Sequence, residues 1–177
     1  MSTVLIPGSF DPMTLGHLDI ITRAASRFER VIVAVMTNDM QKYVSDAPVK
    51  SYMFTMTQRR DMAAAACAHL PNVEVISAGG MLIRLFDSVG ADWIIKGVRS
   101  TADFEYEQKH ALYNRAHAPR AETLYMPADP AFDGLSSTLV RERIRRGEPL
   151  DGYLPDPMIP LLEAIRRDDT DPVNTVQ

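Results

Sequence analysis

Cysteine is almost missing from this chain. Cys67 stands alone in 177 residues, which excludes an intramolecular disulfide and a cysteine-rich zinc site. It lies in the alanine-rich run 61–68, the surroundings of a small buried hydrophobe. Long apolar runs are missing too. None reaches membrane length and no signal peptide opens the chain, so a cytoplasmic protein that engages no membrane is expected. Positive charge is in deficit, with 19 Lys and Arg against 23 Asp and Glu and a net charge of −4. That balance argues against a nucleic-acid partner bound through a broad basic surface. An anionic ligand must instead be held by a local cluster of cations and N–H groups. The first strand-to-helix turn lacks G-x-G-x-x-G, so a dinucleotide redox cofactor is not supported, and no G-x-x-x-x-G-K-[ST] segment marks a P-loop.

What is present has a regular order. Apolar runs at residues 3–6, 31–36, 73–76, 93–95 and 122–126 have the composition of buried strands. Between them, helical spacing or propensity marks residues 15–28, 54–69, 81–89 and 102–116. Two further helices are expected at 136–146, stopped by Gly147, and at 155–167. Alternating strands and helices predict an α/β fold, a doubly wound five-stranded parallel sheet of order 3-2-1-4-5. There is no internal repeat and no dividing linker, so residues 1–167 read as a single domain. Residues 168–177 are charged, lack an apolar face and are expected to be disordered. The polar connection from Thr37 to Tyr52 is too long for an ordinary loop, which marks it as mobile or functional.

Ligands in such sheets bind at strand carboxyl ends, where the order reverses between the first and fourth strands. Two marked segments fall there. The first is the turn Pro7-Gly8-Ser9-Phe10-Asp11-Pro12-Met13-Thr14-Leu15-Gly16-His17. Thr14 can cap the following helix, leaving Gly16 and His17 in a first turn whose N–H groups attract phosphate. Gly8 and Gly16, without a Cβ, permit close approach of a ligand or another backbone. The second segment is Lys96-Gly97-Val98-Arg99, directly after the fourth strand, with Gly97 allowing a ligand close. Arg99 supplies a planar fork for phosphate oxygens and Lys96 a compact charge. A third anion site is Ser136-Ser137-Thr138 at the start of its helix; Arg141 either reaches back to a phosphate or is solvated. His69, His110 and His117 have no spacing that argues for metal, and surface or core positions are expected for them.

These segments carry a resemblance. Thr14-Leu15-Gly16-His17 resembles the T/H-x-G-H signature of the nucleotidyltransferase superfamily. The longer Pro7-to-His17 stretch is similar to that of the bacterial phosphopantetheine adenylyltransferases. Lys96-Gly97-Val98-Arg99 with Asp103-Phe104-Glu105-Tyr106-Glu107 resembles that family's R/K-G-L/V-R-x-x-x-D-F-E-Y-E block, and Leu135-Ser136-Ser137-Thr138-Leu139-Val140-Arg141 its I-S-S-[ST]-x-[VI]-R motif. The resemblance extends from Val4 to about residue 165, with a Rossmann-like nucleotidyltransferase fold.

It implies transfer of the adenylyl group of ATP to 4′-phosphopantetheine, giving dephospho-coenzyme A and pyrophosphate. His17 would be catalytic. Ser9, Lys50, Leu82 and Lys96 would bind the acceptor. ATP would be held by Ser9, Phe10, His17, Gly97, Val98, Arg99, Glu107, Phe132, Asp133, Gly134, Leu135, Ser136, Ser137 and Thr138, with Mg²⁺ riding on the triphosphate. Residues 39–49 look like an insertion against the family pattern, so Lys42 competes with Lys50 for the phosphate. A homohexamer and feedback inhibition by coenzyme A are implied by the same resemblance. Three other readings stay open: a relative using a nicotinate or glycerol phosphate acceptor, a non-catalytic nucleotide sensor, and a flavodoxin-like binding module.

Overall fold

The computed structural model describes residues 2–37 and 51–170. Lys42, Lys50, residues 39–49 and residues 171–177 lie outside them.

Among the described residues, five parallel strands form one sheet of order β3-β2-β1-β4-β5, as the alternation predicts. They are β1 (Thr3–Gly8), β2 (Arg30–Met36), β3 (Val73–Ala78), β4 (Trp93–Val98) and β5 (Glu122–Pro127). The helices are α1 (Leu15–Ala25), α2 (Met56–Cys67), α3 (Leu82–Ser88), α4 (Thr101–His117), α5 (Ser137–Arg146) and α6 (Ile159–Thr170). Short 3-10 turns occupy Pro130–Phe132 and Asp156–Met158.

The strands bury both faces because both are apolar. On one face Val4, Ile6, Val31, Val33, Val35 and Ile95 pack with α1, α2, α5 and α6. On the other, Leu5, Ile32, Ala34, Met36 and Ile94 pack with α3 through Leu82, Ile83 and Phe86. Each fully buried aliphatic side chain contributes about 1.5–3 kcal/mol. Met62, Ala63, Ala66 and Cys67 give α2 a stripe of mostly small side chains that joins the first core. Burial pushes the Cys67 thiol up to about 11.

Local chemistry fixes the helix starts. Thr55 and Gln58 form a reciprocal capping box on α2, with bonds of 2.9 and 3.2 Å. Ser100 and Ser136 cap α4 and α5 by accepting from the N–H groups of Asp103 and Leu139, each at 3.1 Å. Gly147 ends α5 at φ +67°, a left-handed conformation glycine takes without steric cost.

Register differs from expectation at one functional point. β4 does not stop at Ile95, because β5 stays paired with it to Val98↔Pro127. Lys96 and Gly97 are therefore strand residues on opposite faces, not the start of a loop. Meanwhile β1 and β4 pair only through Val4↔Trp93 and Leu5↔Ile94, whereas β1 and β2 pair along six positions. Beyond Leu5 and Ile94 the two central strands part.

Candidate active site

That parting opens a crevice of about 420 Å³ at the carboxyl ends of the central strands, walled from both faces of the sheet. The first wall begins at the turn after β1. Thr14 caps α1, its hydroxyl accepting from His17 N–H at 3.4 Å. The Thr14 N–H donates in return to His17 Nδ1 at 3.0 Å, and the hydroxyl lies 2.9 Å from the same nitrogen. An Nδ1 that accepts puts the proton of the neutral ring on Nε2. The cap therefore sets the imidazole's tautomer.

Phe10 meets the imidazole edge-on, with centroids 5.3 Å apart. Its φ of +43° is uncommon for a residue with a side chain. A Cβ on Gly8 would stand 2.7 Å from the Phe10 ring, so the bare Gly8 makes room for Phe10. At Gly16, by contrast, a Cβ would lie 3.5 Å from that of Phe132, an ordinary contact.

The start of α5 completes this wall. The Ser137 hydroxyl donates to the Pro12 carbonyl at 2.8 Å, so its proton is committed to the turn after β1. Toward an anion Ser137 presents its backbone N–H, which no preceding helical turn can pair. Ser136 accepts as N-cap and keeps its hydroxyl proton available to donate. Arg99 joins the pieces. Its Nε donates to Asp103 at 2.8 Å and its Nη1 to the Leu135 carbonyl at 3.2 Å.

The second wall lies on the α3 face. Lys96 projects to the side of Ile94 and pairs with Glu107 of α4 at 3.1 Å, each side chain 19% exposed. His110 Nδ1 lies 3.7 Å from the same carboxylate oxygen. Burial alone would raise the Glu107 carboxyl; the Lys96 charge beside it, with the His110 imidazole close by, outweighs burial and holds it at about 2. Leu82 and Asn114, both buried, continue this wall.

The structure thus brings Ser9, Phe10, His17, Leu82, Lys96, Gly97, Arg99, Glu107, Phe132, Leu135, Ser136, Ser137 and Thr138 to one crevice. Val98, Asp133 and Gly134 stand outside its wall. A Cβ on Gly97 would face Ile20 of α1 at 3.3 Å, so this glycine also lets a helix approach closely.

Sequence reasoning passed over other members. His110, Asn114 and Tyr106 line the second wall, and Arg141 the first, donating to the Asp11 carbonyl at 2.8 Å. Arg59, 2% exposed, lies beneath the turn after β1. One signal for it existed: Arg59 falls on the same helical stripe as Met62, Ala63 and Ala66, an unusual place for a charge.

With the geometry described, comparison with known proteins fixes the class. The cytidylyltransferase-like family model matches residues 5–143, from β1 into α5, which makes this a protein of nucleotidyltransferase type. Curated relatives are more particular. A phosphopantetheine adenylyltransferase of Symbiobacterium thermophilum is 41% identical over 155 residues, 88% of this chain and 90% of its own length. One from Actinobacillus succinogenes is 39% identical over 169 residues, 96% and 99% of the two chains. Another, from Limosilactobacillus reuteri, is 38% identical over 155 residues, 88% and 84%. The chain belongs to the phosphopantetheine adenylyltransferase family. Among its described residues, no helix is long and apolar enough to cross a membrane.

Proposed function

We propose that the protein transfers the adenylyl group of ATP to 4′-phosphopantetheine, forming dephospho-coenzyme A and pyrophosphate. The observation that carries this reading is the two-walled crevice: helix starts with an oriented imidazole on one side of the sheet, a half-buried lysine on the other.

The acceptor is a phosphate monoester, largely dianionic at neutral pH since its second ionisation is near ~6. It needs no general base. An acceptor oxygen forms the new bond to the α-phosphorus as the bond to the pyrophosphate oxygen breaks, and that oxygen leaves with the electron pair. The chain supplies alignment of two anions and donors for the charge that develops. His17, with its proton on Nε2, donates to an α-phosphate oxygen. Ser9 and Lys96 hold the acceptor phosphate, with Lys50 as a further cation, and Leu82 packs on the pantetheine arm. Arg99, Gly97, Ser136 and the N–H groups of Ser137 and Thr138 hold the triphosphate. Phe10, Phe132 and Leu135 lie against the nucleotide, with Val98, Glu107, Asp133 and Gly134 completing its surroundings.

Magnesium enters as part of the MgATP substrate, carried by the triphosphate and water. The crevice carboxylates Asp103 and Glu107 already hold Arg99 and Lys96. The reading extends to a cytoplasmic homohexamer inhibited by its downstream product, coenzyme A, with no nucleic-acid or membrane partner.

The test is incubation with ATP, Mg²⁺ and 4′-phosphopantetheine, following dephospho-coenzyme A by mass spectrometry. Pyrophosphate release only with nicotinate mononucleotide or glycerol 3-phosphate would move the protein to another acceptor. ATP binding without turnover on any acceptor would make it a sensor. Light scattering checks the hexamer, and titration with coenzyme A the inhibition.

A further inference from the structure

The turn after β1 is held by groups the reaction does not use. Its backbone carbonyls are captured one after another by side chains from distant helices. Arg59 Nη1 donates to Ser9 O at 2.6 Å, Arg141 to Asp11 O at 2.8 Å, and Ser137 to Pro12 O at 2.8 Å. The Asp11 carboxylate lies 3.7 Å from the same Arg141 nitrogen. Fully buried, it accepts from the N–H groups of Met53 and Phe54 at 2.9 and 3.0 Å. Arg59 Nε returns to Phe54 O at 3.2 Å, and its Nη1 also reaches Met36 O at the end of β2 at 3.2 Å.

The bonds close a circuit: Ser9 to Arg59, Arg59 to Phe54, Phe54 to Asp11, and along the chain back to Ser9. The Tyr52 ring covers the guanidinium at 4.3 Å. Burial draws the Arg59 pKa down while Asp11 and Tyr52 oppose it, and arginine keeps its charge. Within the circuit sits Phe10, at φ +43° and against the His17 ring. Such a backbone persists only where its surroundings over-determine it.

We propose that Arg59 and Asp11 are positioning residues, a clamp that fixes Phe10 and the His17 imidazole in the crevice and thereby sets the rate of the chemical step, not ATP affinity. This rests on the adenylyl-transfer reading. Misplacement by an ångström costs about 10²-fold in rate, so the clamp acts on kcat.

The test compares full-length Arg59→Lys and Asp11→Asn with wild type. Lysine keeps the charge but not the fork that spans three carbonyls. Asparagine presents an amide donor to one of two backbone donors. Steady-state kinetics give kcat and both KM values, calorimetry gives ATP affinity, and ¹⁵N NMR follows the His17 imidazole, assigned with His17→Gln. The expected result is a kcat about 10–100-fold lower, ATP affinity within about threefold, and a displaced or broadened His17 signal beside unchanged His69 and His117 signals. Tyr52→Leu, which removes the covering ring, should shift the same readouts by less, and it decides the matter if the buried substitutions unfold the chain. A folded variant with wild-type kcat and an undisturbed imidazole signal overturns the clamp, as does a loss carried by KM alone. Should wild type form no dephospho-coenzyme A, the adenylyl-transfer reading fails, and the imidazole signal still decides the clamp.

Discussion

The two walls of the crevice are armed by different means. On the α1 and α5 side, the groups offered to an anion are backbone N–H groups at two helix starts, with Thr14, Ser136 and Ser137 holding the chain in place. On the α3 and α4 side, the groups are side-chain charges, Lys96 and Glu107. Backbone donors are rigid and carry partial charge, which suits stabilisation of a fleeting transition state. A lysine on its stem is a full charge that suits capture of a dianion. Under the proposed reaction the difference becomes a division of labour: rate on one wall, acceptor affinity on the other.

Breaking the first wall should have the largest effect. His17→Ala is expected to remove about 2.7–4 kcal/mol of transition-state stabilisation, about 10²–10³ in kcat, with both substrates still bound. Unchanged turnover in that variant would take the imidazole out of the mechanism. Breaking the second wall comes next. Loss of a charge-assisted bond is about 1.5–3 kcal/mol, so Lys96→Ala should weaken 4′-phosphopantetheine about 10–100-fold by calorimetry. An equal weakening of ATP would erase the distinction between the walls.

Smaller effects sharpen it. Ser136→Ala removes a helix cap, about 0.5–2 kcal/mol, and should lower Tm by a few degrees together with ATP affinity. The acceptor's affinity should hold. The smallest effect is on pH. Glu107 is held at about 2, below its ordinary 4.5, so its contribution to stability is present above 4.5 and fades as pH falls toward 2. Thermal melts from pH 5 to 2.5 should show wild type losing more Tm than Glu107→Gln. Parallel curves would mean that Lys96 does not sustain that carboxylate.

Sequence legibility followed the same divide. The first wall is local: Thr14 to His17 and Ser136 to Leu139 are contacts across three residues, visible as a capping pattern. The strand order was legible because five apolar runs alternate with helices, and right-handed crossovers leave few arrangements. The second wall was partly hidden. That Lys96 lies within β4 depends on how far β5 stays paired, and His110 acquires a role only when α4 is laid against Lys96. Of the clamp only a charge on the apolar stripe of α2 showed, since Asp11 and Arg59 meet partners 42–50 residues away in the chain. At all three glycines marked for close approach, Gly8, Gly16 and Gly97, a Cβ would meet a protein side chain, because an absent Cβ does not say what fills its place.

Gly97 has a reach beyond its own contact. Its bare α-carbon is where α1 rests on β4, by way of Ile20. Ile20 stands one turn from His17 on the same side of that helix. The thickness of a single methyl thus calibrates the gap between the imidazole and the strand that bears Lys96.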